Sequence, residues 1–302
     1  MIDVQEGSAG GRLHRGSLPS SPWSKLPPIL QVHSGRAVVT FGQPMSRFVN
    51  LEFDHESDGV PRRSTAGHDE QRCLADAQSA FEQGEFEKAL RAFAKALEFN
   101  AHNPVSWTGQ VRALIELGEF SEAKLWADKA LERFPDASEL LAAKAVALGR
   151  LGDTDAALCF SDAAVEAHGD TPYVWLARAD VLLARAEKRA DYCFDKALGL
   201  AAGDWFITWL AARVRAFYRQ FTLALKLLQQ ALAARPDHEM LWFMTGQCQG
   251  ELGLVAAARG SYEQALQLNP RLLEARHARN ALENSGLGAR LAGWWRRVRQ
   301  DG

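Results

Sequence analysis

Gly118-Glu-Phe-Ser-Glu-Ala123, followed by Ala130 and Pro135, is the stretch on which the fold turns. A glycine with alanines five and twelve residues later returns as Gly84-Glu-Phe-Glu-Lys-Ala89 with Ala96, and as Gly152-Asp-Thr-Asp-Ala-Ala157 with Ala164. It returns once more as Gly253-Leu-Val-Ala-Ala-Ala258 with Tyr262, Ala265 and Pro270. Eleven residues ahead of the glycine, Trp107, Leu141 and Trp242 share one column, and the rows repeat every 34 residues. Two intervening rows fit with a residue lost near the turn: Trp175 with Ala190 and Ala197, and Trp209 with Phe221, Ala224, Ala231 and Pro236. Neither has a turn glycine, so both hairpins are expected to bend irregularly.

Alanines seven apart lie on one helical face, where only a small side chain lets two helices approach closely. The tryptophans are expected to fill the space between neighbouring hairpins as core. Prolines set the limits. Pro104, Pro135, Pro172, Pro236 and Pro270 are the only ones after residue 68, and their spacing suits helix boundaries, because proline is tolerated at a first turn or beyond an end but not inside. The other six of eleven prolines lie in the first 68 residues, which hold only three alanines. A composition boundary therefore falls near residue 68.

Six rows in this register resemble the tetratricopeptide repeat: a Trp or Leu early in helix A, a turn glycine, then Ala, an aromatic and Ala along helix B, and a closing Pro. The resemblance covers residues 70–272, which is 203 of 302. It implies an all-α fold, a right-handed helix-turn-helix superhelix in which no repeat buries its apolar face alone. The expected organisation is an N-terminal extended or β-hairpin segment over 1–68, partly disordered, the array with a capping helix over 69–284, and an amphipathic tail over 285–302.

The family lines a concave groove with residues of each helix A. Carried onto this chain, the resemblance implies a partner-binding groove of Leu74 and Phe81, then Arg112 and Ile115, then Arg150. It continues with Tyr173, Leu176, Asp180 and Leu183, then Leu210, Val214 and Phe217, then Met240 and Phe243. Its C-terminal half is apolar and aromatic, suited to an amphipathic helix or extended peptide. Repeats that clamp the acidic tails of heat-shock chaperones need Lys, Asn and Arg together; here Arg112 and Arg150 are the only groove cations and no Asn is present. Either a partner fills the groove or the protein's own N-terminal segment does.

Both ends carry features that the repeats do not explain. Ile29–Val32, Ala37–Phe41 and Phe48–Phe53 read as short strands of a hairpin. In the tail, Leu291, Trp294, Trp295 and Val298 form one helical stripe flanked by Arg290, Arg296, Arg297 and Arg299, with a local charge of +3. That stripe suits packing on the array, a partner or a second copy, or weak contact with a membrane surface.

Several functions are disfavoured. A net charge of −2 supplies no general field for nucleic acid. The start lacks the apolar run of a signal peptide, and no window holds 18 apolar residues, so the expected location is cytoplasmic. Four scattered cysteines suit a reducing compartment. No P-loop, GxGxxG, HExxH or GxSxG occurs, and the eight histidines stand at no metal-ligand spacing. The expectation is a non-catalytic scaffold or adaptor, without cofactor or metal, that binds a protein or peptide in its groove. The alternative is an assembly subunit that works through its terminal strands and its Arg/Trp tail.

Overall fold

In a computed structural model, residues 63–282 are described, apart from residue 168. They form six antiparallel helix pairs. These are α1 (Arg63–Glu82) with α2 (Phe86–Phe99), α3 (Pro104–Glu116) with α4 (Phe120–Leu131), and α5 (Ser138–Leu151) with α6 (Thr154–Glu166). Then come α7 (Pro172–Ala184) with α8 (Ala190–Leu200), α9 (Trp205–Phe217) with α10 (Phe221–Ala234), and α11 (Glu239–Glu251) with α12 (Val255–Leu268). Residues 273–282 are helical too. No strand occurs among the described residues; the hairpin expected before residue 54 and the Arg/Trp tail lie outside them. Helix α1 begins at Arg63, ahead of the composition boundary near residue 68.

The alanine column does what its residue type dictates. Ala89, Ala96, Ala123, Ala130, Ala157, Ala164, Ala258 and Ala265 are all fully buried between helices. Gly109 on α3 shows how close the helices come: a Cβ there would stand 2.3 Å from the Phe93 ring of α2. Pro104 and Pro172 open α3 and α7, behind side-chain caps from Asn103 and Thr171 to the amides of Val105 and Val174.

One of the two expected irregular bends is found: α8 begins four residues after Ala186, whereas the second helix of every other pair begins two residues after its left-handed turn residue. At the two rows without glycine, Ala186 (φ 57°) and Arg219 (φ 60°) take the same left-handed conformation as the turn glycines. The chain closes each turn with the same bond: Glu187 N donates to Leu182 O (2.8 Å) and Gln220 N to Arg215 O (2.9 Å), as Glu119 N does to Leu114 O (3.0 Å). Packing of the helix pair imposes the turn, and the Cβ strain of a non-glycine residue is carried locally.

A recurring polar contact ties the first helix of a hairpin to the loop that follows its second helix. Asn100 and Asn103 both donate to Glu70, Thr171 donates to Glu139, and Asn269 donates to Glu239, 30 to 33 residues apart in each case. The tryptophan column adds a second clip. Trp107 and Trp242 donate their indole N–H to the carbonyls of Ala101 and Pro236 at 2.9 and 2.8 Å, and Trp175 donates to Asp170 at 2.8 Å. These three are therefore braces with apolar bodies and a polar tip at the loop. At the C-terminal end, Leu272, Ala275, Ala278 and Leu282 cover Phe243 and Tyr262, as a capping helix should.

Candidate functional site

Trp209 does not belong to the tryptophan column. Helix α9 starts at Trp205 behind its Asp204 cap, so Trp209 is its fifth residue, whereas Trp107, Trp175 and Trp242 are the fourth of theirs. One residue is about 100° around a helix, and that turn points Trp209 at the first hairpin. It is fully buried there, stacked on Phe86 with ring centroids 6.2 Å apart. Counting back from Ala224 rather than forward from Trp175 would have given the correct register, because the left-handed turn residue stands five before that alanine in this row as in the four rows with a turn glycine.

The corrected register reveals what fills the concave face. Phe81 of α1 meets Phe206 of α9 edge-on at 5.9 Å, and Phe120 of α4 meets Phe217 of α9 at 6.0 Å. Arg213 of α9 donates to Glu116 of α3 at 2.6 Å across 97 residues of sequence. His238, the residue before α11, reaches the carbonyl of Glu82 at 2.9 Å, 156 residues away. Since a carbonyl can only accept, the imidazole proton sits on Nε2. Met240 lies against Gly84, its Cγ 3.2 Å from where a Cβ would be. The first two hairpins thus touch the last two through side chains across the concavity. An open apolar groove would leave these rings in water, and burial against each other removes that cost.

Several expected groove residues take a different role as a result. Phe81, Ile115, Leu176, Leu210 and Val214 are each less than 9% exposed. Phe243 is not on the concave face at all: it packs on Tyr262 at 5.9 Å beneath the capping helix, because the last repeat has no following hairpin to cover that core. Leu74 and Leu183 are half-buried. Phe206, Trp209, Arg213, Glu116 and His238 are the concave residues absent from the expected set.

Eight of the expected residues do come together. Arg112, Ile115, Arg150, Tyr173, Leu176, Asp180, Leu210 and Val214, with Glu116, Val146 and Ala177, line a recess of about 350 Å³, counting the solvent at its mouth. One wall is an ion-pair network. Arg150 donates through Nε and Nη2 to Asp180 Oδ2 at 3.2 and 2.7 Å, and Tyr218 donates its hydroxyl to Asp180 Oδ1 at 2.8 Å. The Arg150 guanidinium also sits 4.3 Å from the Phe217 ring centroid. Burial is the largest single influence and works against its charge, but the Asp180 and Glu116 carboxylates together with Tyr218 outweigh it and raise the Arg150 pKa above its ordinary value. Burial, reinforced by the Asp180 charge, raises the Tyr218 phenol as well. The opposite wall holds Arg112, whose guanidinium lies 3.9 Å from the Tyr173 ring centroid and 5.4 Å from that of Phe81.

Family models described as tetratricopeptide repeat match residues 80–147 and 210–272. The chain is a tetratricopeptide-repeat protein. No curated protein sequence matches it. Among solved structures it is similar to YrrB, described as a TPR protein with an unusual peptide-binding site, at 20% identity over 64% of this chain and 100% of that one, with a TM-score of 0.38. A thermophilic TPR protein of Thermus thermophilus matches at 18% identity over 70% of this chain and 98% of that one, with a TM-score of 0.44. The TPR2AB domain of yeast Sti1, solved in complex with pHSP90, matches at 15% identity over 72% and 97%, with a TM-score of 0.32.

Tetratricopeptide arrays serve in general as protein-interaction scaffolds, and this chain has that architecture. Among the described residues no cluster of three or more His, Cys, Asp or Glu could hold a metal ion, and no helix is long and apolar enough to cross a membrane. The buried carboxylate Asp180 is committed to Arg150 and Tyr218. The recess of this tetratricopeptide array sets a cation beside a phenol ring, over aliphatic side chains that are themselves buried.

Proposed function

We propose that the protein is a non-catalytic cytoplasmic adaptor that takes a peptide or protein segment at the Arg112 and Tyr173 recess of its tetratricopeptide array. The reading differs from groove binding along all of the helix A residues, since most of that apolar surface is spent on the array's own closure. The observation that carries it is the half-buried Arg112 guanidinium, stacked on Tyr173 beside Leu176, Leu210 and Val214. Concave sites with an apolar lining and few convergent polar groups are the usual form of a binding pocket.

The test compares the full-length tagged chain with an Arg112→Glu variant, both purified from the native cells, together with a chain carrying a photo-crosslinking residue in place of Tyr173. The same protein should co-purify with the first, be depleted at least tenfold from the second, and crosslink to the third. A partner retained by Arg112→Glu and never crosslinked at position 173 would place the interaction elsewhere.

A further inference from the structure

We infer that the array is a hinged clamp: the fifth and sixth hairpins with the capping helix form an arm that swings at residues 201–204, and the structure is its closed state, in which the arm shuts the concave face of the first four hairpins. The inference does not depend on the recess being the partner site. The sequence sets the hinge. Trp107, Leu141, Trp175 and Trp242 put a large side chain at the fourth residue of the first helix in four of the hairpins, and the three tryptophans brace the loop before it. In α9 the fourth residue is Thr208, whose hydroxyl turns back to the Asp204 carbonyl of its own cap at 2.9 Å. The loop ahead of it, residues 201–204, holds Gly203 at φ 83° with nothing within 4 Å of where a Cβ would stand. Packing between successive hairpins is sparsest at this joint, and its ties include two polar ones: Arg215 of α9 donates to Asp191 of α8 at 2.7 Å, and Tyr218 donates to Asp180 of α7 at 2.8 Å. Asp191 is 68% exposed, so that ion pair holds little.

The arm is held instead from across the concavity. Phe206, Trp209 and Phe217 of α9 meet Phe81, Phe86 and Phe120 of the first two hairpins, Arg213 meets Glu116, and His238 meets Glu82. Among the described residues no backbone-to-backbone hydrogen bond crosses with them. Ring edges, one ion pair and one imidazole make an interface of the kind that opens and closes, unlike the alanine-packed core of each hairpin. The closed state also buries Trp209 Nε1 and His238 Nδ1 without partners among the described residues, their rings 5.9 Å apart. Opening returns both atoms to water, which offsets part of the lost ring burial. Closure decides access as well. Leu176, Leu210 and Val214 are each less than 9% exposed, so a residue-sized guest finds no room beside them, and Leu210 and Val214 belong to α9. Swinging α9 away uncovers them together with Phe81, Phe86 and Trp209. The arm is thus an autoinhibitory contact that the array makes with itself.

Spin labels carried on p-acetylphenylalanine, which leaves the four native cysteines untouched, report the swing in the full chain through dipolar distance measurements. Labels in place of Lys95 on α2 and Arg259 on α12 span the two arms, whereas labels in place of Lys95 and Lys188 both lie in the first; all three positions are exposed. Glu116→Arg sets like charges against each other at Arg213. It should give the spanning pair a second, longer distance while the pair within the first arm and the helical circular dichroism stay as in the native chain. Arg213→Gln, which removes the ion pair without adding repulsion, is read in the same way should Glu116→Arg not fold. A spanning distance that stays native in these variants would overturn the clamp. Lengthening of both pairs would overturn the hinge at residues 201–204, since the array would then loosen at every joint.

Discussion

Glu116 and Arg213 stand 97 residues apart in the chain and form an ion pair in which both side chains are about 85% buried, with Arg213 Nε 2.6 Å from Glu116 Oε2. In a repeat array each unit normally contacts only its neighbours, so stability is a sum of local terms. This contact joins the second hairpin to the fifth and couples units that would otherwise open independently.

Replacing Glu116 with Gln should therefore do more than lower stability by the roughly 1–3 kcal/mol of a hydrogen bond to a buried charged group. It should broaden the unfolding transition, because hairpins freed from the cross-contact unfold in separate steps. Urea titrations followed by circular dichroism and by tryptophan fluorescence should coincide in the native chain and separate in the variant; coincidence in both would mean that the pair adds stability without coupling.

Asp180→Ala should cost roughly 3–5 kcal/mol, since it strands the Arg150 guanidinium in a site where both side chains are less than 8% exposed. Asp180→Asn, which retains an acceptor for Arg150, should cost less. Chemical denaturation measures both, and equal losses would mean that shape rather than charge holds this wall.

Ala186→Gly should stabilise the protein by up to about 1 kcal/mol, because Ala186 occupies the left-handed region at φ 57° where a Cβ is strained. Arg219→Gly should gain less, since the Arg219 side chain reaches Glu251 at 3.4 Å and its loss offsets part of the relief. A rise in melting temperature for the first variant that exceeds the second is the expected order.

His238 should make the closure acid-sensitive. Burial holds its pKa below the ordinary 6.5, with the Glu82 carbonyl and Glu239 acting in the opposite direction, Arg235 acting with burial, and Asp237 against it. Protonation would add a donor at Nδ1, which is buried without a partner among the described residues. The unfolded chain takes up its proton near pH 6.5 and the folded chain only at lower pH, so this contribution is complete above pH 6.5 and declines as pH falls below it. Melting temperatures from pH 7.5 to 5.5 should drop less in His238→Gln than in the native chain; parallel curves would assign the acid sensitivity to other groups.

The spacing of Gly84, Gly118, Gly152 and Gly253 against their alanines determined the fold, because small residues seven apart and a left-handed turn admit one kind of helix pair whatever surrounds it. The same logic placed the prolines and the tryptophan braces. Sequence alone also brought Arg112, Arg150, Tyr173 and Asp180 into one set, since a repeat puts equivalent positions on one face. Only the tertiary structure decided that this face is largely closed. Phe81 against Phe206, Trp209 against Phe86 and Glu116 against Arg213 are meetings between distant hairpins, set by the curvature that many small packing choices accumulate, and no local pattern encodes that sum. The one-residue shift of Trp209 was decided there too: its column was legible from Ala224, but its destination against the first hairpin was a property of the assembled array. Closure is also what leaves Arg112 as the recess's unmatched charge, for Glu116 would be its natural partner four residues along the helix had Arg213 not arrived from across the concavity.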